Sequence, residues 1–159
     1  MAFKPTLKNV LITGQPGIGK TTCVRHIIDA LRDPHNRFSS VVNVRGFYSQ
    51  ELRREHHSKM TRIGFDIISV IDGSSNALAR TEQAMDQAMW DRYTQRKKAF
   101  RFCGKYVMDL EGFERFTLPL LRPTKHRNAK TKKQCVFIID EIGKMELFSR
   151  RLKSSSSDC

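Results

Sequence analysis

Two short stretches carry residue types that can do chemistry if the fold brings them together. The first is GQPGIGKT, in which Gly14, Gly19, Lys20 and Thr21 hold the fixed places of the pattern G-x-x-x-x-G-K-[ST]. The second is Asp140-Glu141, a carboxylate pair directly after the apolar run VFII (136–139). Glycines let backbone N–H groups converge on a phosphate that side chains would block, and they reach the positive φ values that such a nest needs. A helix opening at the loop's end points its positive pole at the same anion. Lys20 adds a point charge near the outer phosphates, and the Thr21 hydroxyl suits a Mg²⁺ ligand. An acid at position 140 can hold the same Mg²⁺, usually through water, and Glu141 beside it can orient and deprotonate an attacking water. That water-activating acid leans the pair toward hydrolysis rather than transfer to an acceptor.

This chemistry requires particular elements. NVLIT (9–13) reads as a buried strand feeding the loop. TTCVRHIIDALRD reads as the following helix, with Val24, Ile27, Ile28 and Leu31 in one apolar stripe and Asp33-Pro34 ending it. CVFIID reads as a strand covered on both faces, with Asp140 at its carboxyl end, where α/β sheets place ligands. Between these, 40–52 and 61–73 are β-rich and read as an antiparallel pair joined by the polar link RREHHSKM, with His56 and His57 exposed in it. Residues 80–100 read as an amphipathic helix or insert, 105–110 as a strand and EGFERFTLPLL as a helix. Strands and helices alternate, so the fold class is α/β, a three-layer architecture around a mainly parallel sheet.

The 159 residues suit one domain, long enough to bury about two thirds of its unfolded surface. No apolar run approaches the ~20 residues of a membrane-spanning helix, and the first residues do not read as a secretory signal. Cys23, Cys103, Cys135 and Cys159 are scattered, without a C-x-x-C pair, and read as reduced thiols of a cytoplasmic protein. Net charge is +13, concentrated in RKKAFRFCGK (96–105) and RPTKHRNAKTKK (122–133). Such blocks can grip nucleic acid, but without a recognisable motif they read as solvated basic loops.

The segments LITGQPGIGKTT, GFYSQELR, RIGFDIISV, GKYVMDLEGFE, LPLLR and DEIGKMELFS together resemble the small P-loop nucleoside-triphosphatases (the THEP type) whose vertebrate member is called cancer-related nucleoside-triphosphatase. They follow that family's order and cover most of 9–149. The resemblance implies a RecA/AAA-like fold and Mg²⁺-dependent hydrolysis of ATP, GTP and other nucleoside triphosphates to diphosphate and phosphate. It implies that Gly14, Gln15, Pro16, Gly17, Ile18, Gly19, Lys20, Thr21 and Thr22 bind the nucleotide. Thr21 and Asp140 would serve the metal, and Lys20 and Glu141 catalysis. A monomer is expected. Lys144 and Glu146 match the family's pattern without an evident role.

The family continues with further strands and helices after MELFS, whereas this chain reads RRLKSSSSDC. It is therefore read as a C-terminally truncated NTPase domain (1–149) with a divergent, disordered serine-rich tail (150–159). The missing strands would leave NVLIT and CVFIID short of partners, so weakened folding and activity are expected of the chain alone. Two other readings stay open: a P-loop nucleotide or nucleoside kinase, and a non-catalytic form that binds nucleic acid through its basic loops.

Overall fold

The computed structural model describes residues 9–122, 134–141 and 143–152. Helix α1 (Lys20–Arg32) is followed by strands β1 (Val42–His56), β2 (Lys59–Ser69) and β3 (Ser75–Thr81). Helix α2 (Gln87–Gln95), strands β4 (Phe100–Cys103) and β5 (Tyr106–Asp109), helix α3 (Leu110–Leu120) and strand β6 (Gln134–Ile139) complete the order. The six strands form one sheet, ordered β4-β5-β3-β2-β1-β6. Helices and sheet together give the α/β class that the sequence implied.

Pairing within the sheet follows connection length. Strands joined by tight turns must run antiparallel, and β1–β2, β2–β3 and β4–β5 do so, as does β3–β5. The parallel pairing expected of most of the sheet is confined, among the described residues, to β1 and β6, which 77 residues of intervening chain allow to run side by side (Val42↔Gln134 to Phe47↔Ile139). This is the pair that holds the site.

The layers follow from strand alternation. On β1, Phe47 joins the main core under α3, while its neighbours Val44 and Tyr48 pack toward α1. On β6, Phe137 and Ile139 face the α3 side and Ile138 faces α1, so this strand is covered on both faces as its apolar run predicted. Val24 and Ile28 of the predicted stripe are buried against Val70, whereas Ile27 is 39% exposed. Helix α2 covers the same face as α1 at the other end of the sheet, with Met89 packed on Phe100 and Val107. Arg45 on β1 donates to the Pro119 and Leu120 carbonyls, satisfying the open C-terminal end of α3.

Four further sequence expectations need correction. NVLIT (9–13) forms no strand: Val10 and Leu11 are 83% and 86% exposed, and no backbone hydrogen bond reaches this stretch among the described residues. Strand composition cannot make a strand where no neighbour supplies a ladder. The link RREHHSKM is mostly strand, because β1 runs to His56 and β2 restarts at Lys59, with His57 and Ser58 at φ 49° and 59° as a two-residue hairpin turn. The helix expected over 80–100 shrinks to α2, because Asp86 caps it by accepting from the Met89 N–H at 2.7 Å. Residues 150–152, read as the start of a disordered tail, form a helical turn whose Leu152 is buried in the main core. The basic stretch 123–133 and the serines from 154 lie outside the described residues.

The described cysteines, Cys23, Cys103 and Cys135, form no disulfide. No helix among the described residues is long and apolar enough to cross a membrane.

Candidate functional site

The glycine loop precedes α1 as an exposed turn. Gly17 and Gly19 have φ of 78° and 98°, in the left-handed region where a side chain would be strained. The first turn of α1 contains no acid, so nothing on the helix itself neutralises its positive pole. Lys20 Nζ donates to the Gly14 and Gln15 carbonyls at 2.9 and 3.0 Å, folding the loop around its own ammonium group. The Ile18 N–H closes the turn on the Gln15 carbonyl at 3.3 Å.

The predicted carboxylate sits directly behind this loop. The Thr21 hydroxyl donates to Asp140 Oδ2 at 2.8 Å, and the Ser49 hydroxyl donates to the same oxygen at 3.3 Å. The Asp140 N–H donates to the Phe47 carbonyl at 3.3 Å, which extends the β1–β6 pairing by one bond and fixes where the carboxylate starts. One carboxylate and two hydroxyls, all hard oxygen donors, therefore converge on one point, a donor set that fits Mg²⁺.

A cavity of about 630 Å³ opens beside that point, with Thr21 and Ser49 in its lining and Asp140 itself outside it. Pro16, Gly17, Gly19, Lys20, Thr21 and Thr22 line one side, and Tyr48 to Glu51 of β1, with Arg62 and Phe65 of β2, line the other. Glu141, exposed, stands on its wall as well. Gly14, Gln15 and Ile18 shape the loop from outside the lining, and the Ile18 side chain is 71% exposed. Thus Lys20, Thr21, Asp140 and Glu141, named from two stretches more than a hundred residues apart, come together.

Sequence reasoning gave no role to the far wall. Its residues belong to GFYSQELR and RIGFD, stretches read as an antiparallel strand pair and matched to the family, with no site role given to them. β1 runs nine residues beyond its last pairing with β6, so its extension rises beside Asp140 and Glu141. Glu51 on that extension is gripped by Arg53 and by Arg62, whose Nη2 lies 2.6 Å from Glu51 Oε2. Although burial pushes its carboxyl up, the hydrogen bonds from Arg62 and Arg53 prevail and hold it below the usual glutamate value. Arg25, on α1, lies 5.9 Å from the Tyr48 ring centroid.

Glu146 also acquires a place. It is 5% exposed and accepts the Gly143 N–H at 2.9 Å, bracing the chain that leaves Glu141. Burial, with lesser help from the charges of Glu141 and Asp140, raises its carboxyl above the usual range. Lys144 is exposed.

An α/β sheet with a glycine loop opening a helix beside a strand-end carboxylate defines the P-loop class. A family model described as NTPase matches residues 9–158, and the chain belongs to that family. It is 38% identical to the cancer-related nucleoside-triphosphatase homolog of Mus musculus and 37% identical to the cancer-related nucleoside-triphosphatase of Homo sapiens, in each case over 90% of this chain and 64% of the relative. It is 33% identical to the nucleoside-triphosphatase THEP1 of Aquifex aeolicus, over 91% of this chain and 66% of that protein. The chain thus spans about two thirds of the length of these relatives or slightly less. No solved structure matches it significantly.

Proposed function

We propose that this protein hydrolyses nucleoside 5′-triphosphates, ATP and GTP among them with little preference of base, to the diphosphate and phosphate in a Mg²⁺-dependent reaction. The observation that carries the reading is the 2.8 Å bond from Thr21 to Asp140, which joins the phosphate loop to the strand-end acid with Glu141 on the same cavity wall. Relatives named nucleoside-triphosphatases support it.

In this reading the loop N–H groups and the acid-free end of α1 hold the phosphates. Lys20, whose ammonium donates to the Gly14 and Gln15 carbonyls, bridges the loop and the outer phosphates. Thr21, Asp140 and Ser49 are the residues that would hold magnesium. When bound, the ion supplies positive charge against the phosphate oxygens as negative charge shifts toward the leaving group. Glu141 takes the proton of the attacking water.

The test is phosphate release by the purified protein from ATP, GTP, CTP and UTP with magnesium and no added acceptor. Release from all four, abolished in Lys20→Ala, is the expected result. Release that appears only when a nucleoside or nucleotide acceptor is added would replace hydrolysis by kinase chemistry.

A further inference from the structure

We propose that Arg62 supplies the positive charge that stabilises the transition state at the terminal phosphate; this assignment rests on the hydrolytic reading above. Four observations converge on it. Arg62 lines the same cavity as Lys20, Thr21 and Glu141. Its place there depends on a β-bulge. Glu51 pairs with Phe65 and Leu52 with Gly64, but Arg53 pairs with Arg62, so Ile63 is the extra residue. In a regular ladder Arg62, three residues from Phe65, would project to the opposite face. The bulge returns it to the face of Glu51 and Phe65, the re-aiming of a side chain for which bulges beside active sites are known.

Once re-aimed, Arg62 is fixed. Glu51 Oε2 holds its Nη2 at 2.6 Å, and its guanidinium carbon lies 5.5 Å from the Phe65 ring centroid. Its side chain stays 45% exposed, open to the cavity. Glu51 also pairs with Arg53, so two guanidinium groups meet one carboxylate and the cluster keeps a net positive charge.

The anchor is also in the right place. Ser49 and Glu51 alternate on β1 and project to one face, roughly 6.7 Å apart along the strand. Ser49 touches the Asp140 carboxylate and Glu51 grips Arg62. The residue that grips the guanidinium thereby stands one strand-repeat from the residue that touches Asp140. Arg25, the other arginine of the cavity, leans on Tyr48 from α1 and is not among the described ion pairs.

In the step, water oxygen bonds to the terminal phosphorus and yields a proton to Glu141. The bond from that phosphorus to the bridging oxygen breaks, and its electron pair leaves with the diphosphate. Arg62 transfers no atom; it offsets the charge spread over the phosphoryl oxygens, the work done by arginine fingers in other phosphoryl-transfer sites.

The experiment compares wild-type protein, Arg62→Ala, Arg62→Lys, Arg54→Ala and Lys20→Ala. Turnover of MgATP is read beside the affinity for MgADP with and without aluminium fluoride, which with ADP mimics the transferring phosphoryl group. Arg62→Ala is expected to lower kcat about 10²-fold with KM within about threefold, and to lose the tightening that aluminium fluoride brings by a similar factor. Arg62→Lys keeps charge without the fork and should recover less than about a tenth of turnover; it also decides the matter if the Arg62→Ala melt shows loss of folding. Arg54→Ala, an exposed arginine on the same hairpin, should match wild type. A changed KM with unchanged kcat, or undiminished aluminium-fluoride affinity, would overturn the role of Arg62 while leaving the hydrolytic reading intact. Undiminished MgADP binding by Lys20→Ala would overturn that reading itself, and this one with it.

Discussion

Thr21 and Asp140 are separated by 119 positions in sequence and by 2.8 Å in the structure. The hydroxyl enters from the first turn of α1 and the carboxylate from the end of β6, so one hydrogen bond records that loop and strand are in register. In Asp140→Asn the amide oxygen can still accept from Thr21, and the melting temperature without ligand should change little, since a part-exposed bond of this kind contributes about 1 kcal/mol. The charge, however, is gone. Saturating MgATP at about 100 times Kd should stabilise wild-type protein by about 2.7 kcal/mol, and Asp140→Asn should lose most of that rise. Thermal melts with MgATP, with ATP plus EDTA and without nucleotide measure it. An equal magnesium-dependent rise in both proteins would remove Asp140 from the metal site.

Glu141 stands beside Asp140 but is exposed on the cavity wall and not among the partners of the Thr21 and Ser49 hydroxyls. The separation predicts a division of labour. Glu141→Gln should keep the affinity for MgATP and lose turnover by roughly 10²–10⁴-fold, the range of a general base. Fluorescent-nucleotide titration and phosphate release, run on the same preparation, separate the two effects. Turnover within a few fold of wild type would take the base role away from Glu141.

Gly46 sets how closely β6 can approach β1. Its φ is 112°, and a β-carbon there would stand 1.9 Å from the Ile138 carbonyl oxygen, which belongs to backbone and cannot rotate away. Gly46→Ala is therefore expected to cost roughly 3 kcal/mol or more, among the large values for single substitutions. Because the same strand pair carries Asp140 to Ser49, MgATP stabilisation should fall with it. Urea unfolding and the ligand-dependent melt check both effects. A substitution that left both intact would mean that the β1–β6 contact is looser than a 1.9 Å approach to the Ile138 carbonyl allows.

The residues of this candidate site were legible because the spacing within each motif is local. G-x-x-x-x-G-K-T and an acid after an apolar run both read directly from the chain, and their union needed only the α/β premise. Arg62 was not legible, because a bulge one residue long decides which face it takes, and nothing in RIGFD announces the extra residue. Periodicity found the α1 stripe through Val24 and Ile28 but overstated α2, where Asp86 interrupts an otherwise helix-favouring composition. The misreading of NVLIT is of another kind. Its residues suit a strand, but strand formation needs a second backbone, and none among the described residues pairs with this stretch.

The β1–β2 hairpin turns at His57 and Ser58, both with positive φ. The primed turns that suit hairpin twist prefer glycine in the second of these places, and an L-residue there costs roughly 1–2 kcal/mol. Ser58→Gly should recover part of this, about 0.5–1 kcal/mol net of the extra chain entropy that glycine loses on folding. Chemical denaturation would show it as a higher midpoint at unchanged slope. A lower midpoint would mean that the Ser58 side chain contributes more than its backbone strain removes.

Glu146 gives the protein a defined response to pH. Burial is the first cause of its raised carboxyl, and the neighbouring charges of Glu141 and Asp140 add to it. In the unfolded chain the same group titrates near its ordinary value of 4.5. Below that pH both states are protonated and the burial carries no electrostatic penalty. As pH rises past it, the unfolded chain releases its proton first, so stability falls until the folded carboxyl also ionises, and is level thereafter. In Glu146→Gln the side-chain oxygen keeps accepting the Gly143 N–H while nothing titrates. The glutamine protein should therefore match wild type near pH 4 and gain on it steadily as pH rises, with the difference levelling off once Glu146 is ionised in both states. Melting temperatures taken from pH 4 to 8 test this directly. Two parallel curves would show that the buried carboxyl titrates as it does in the unfolded chain.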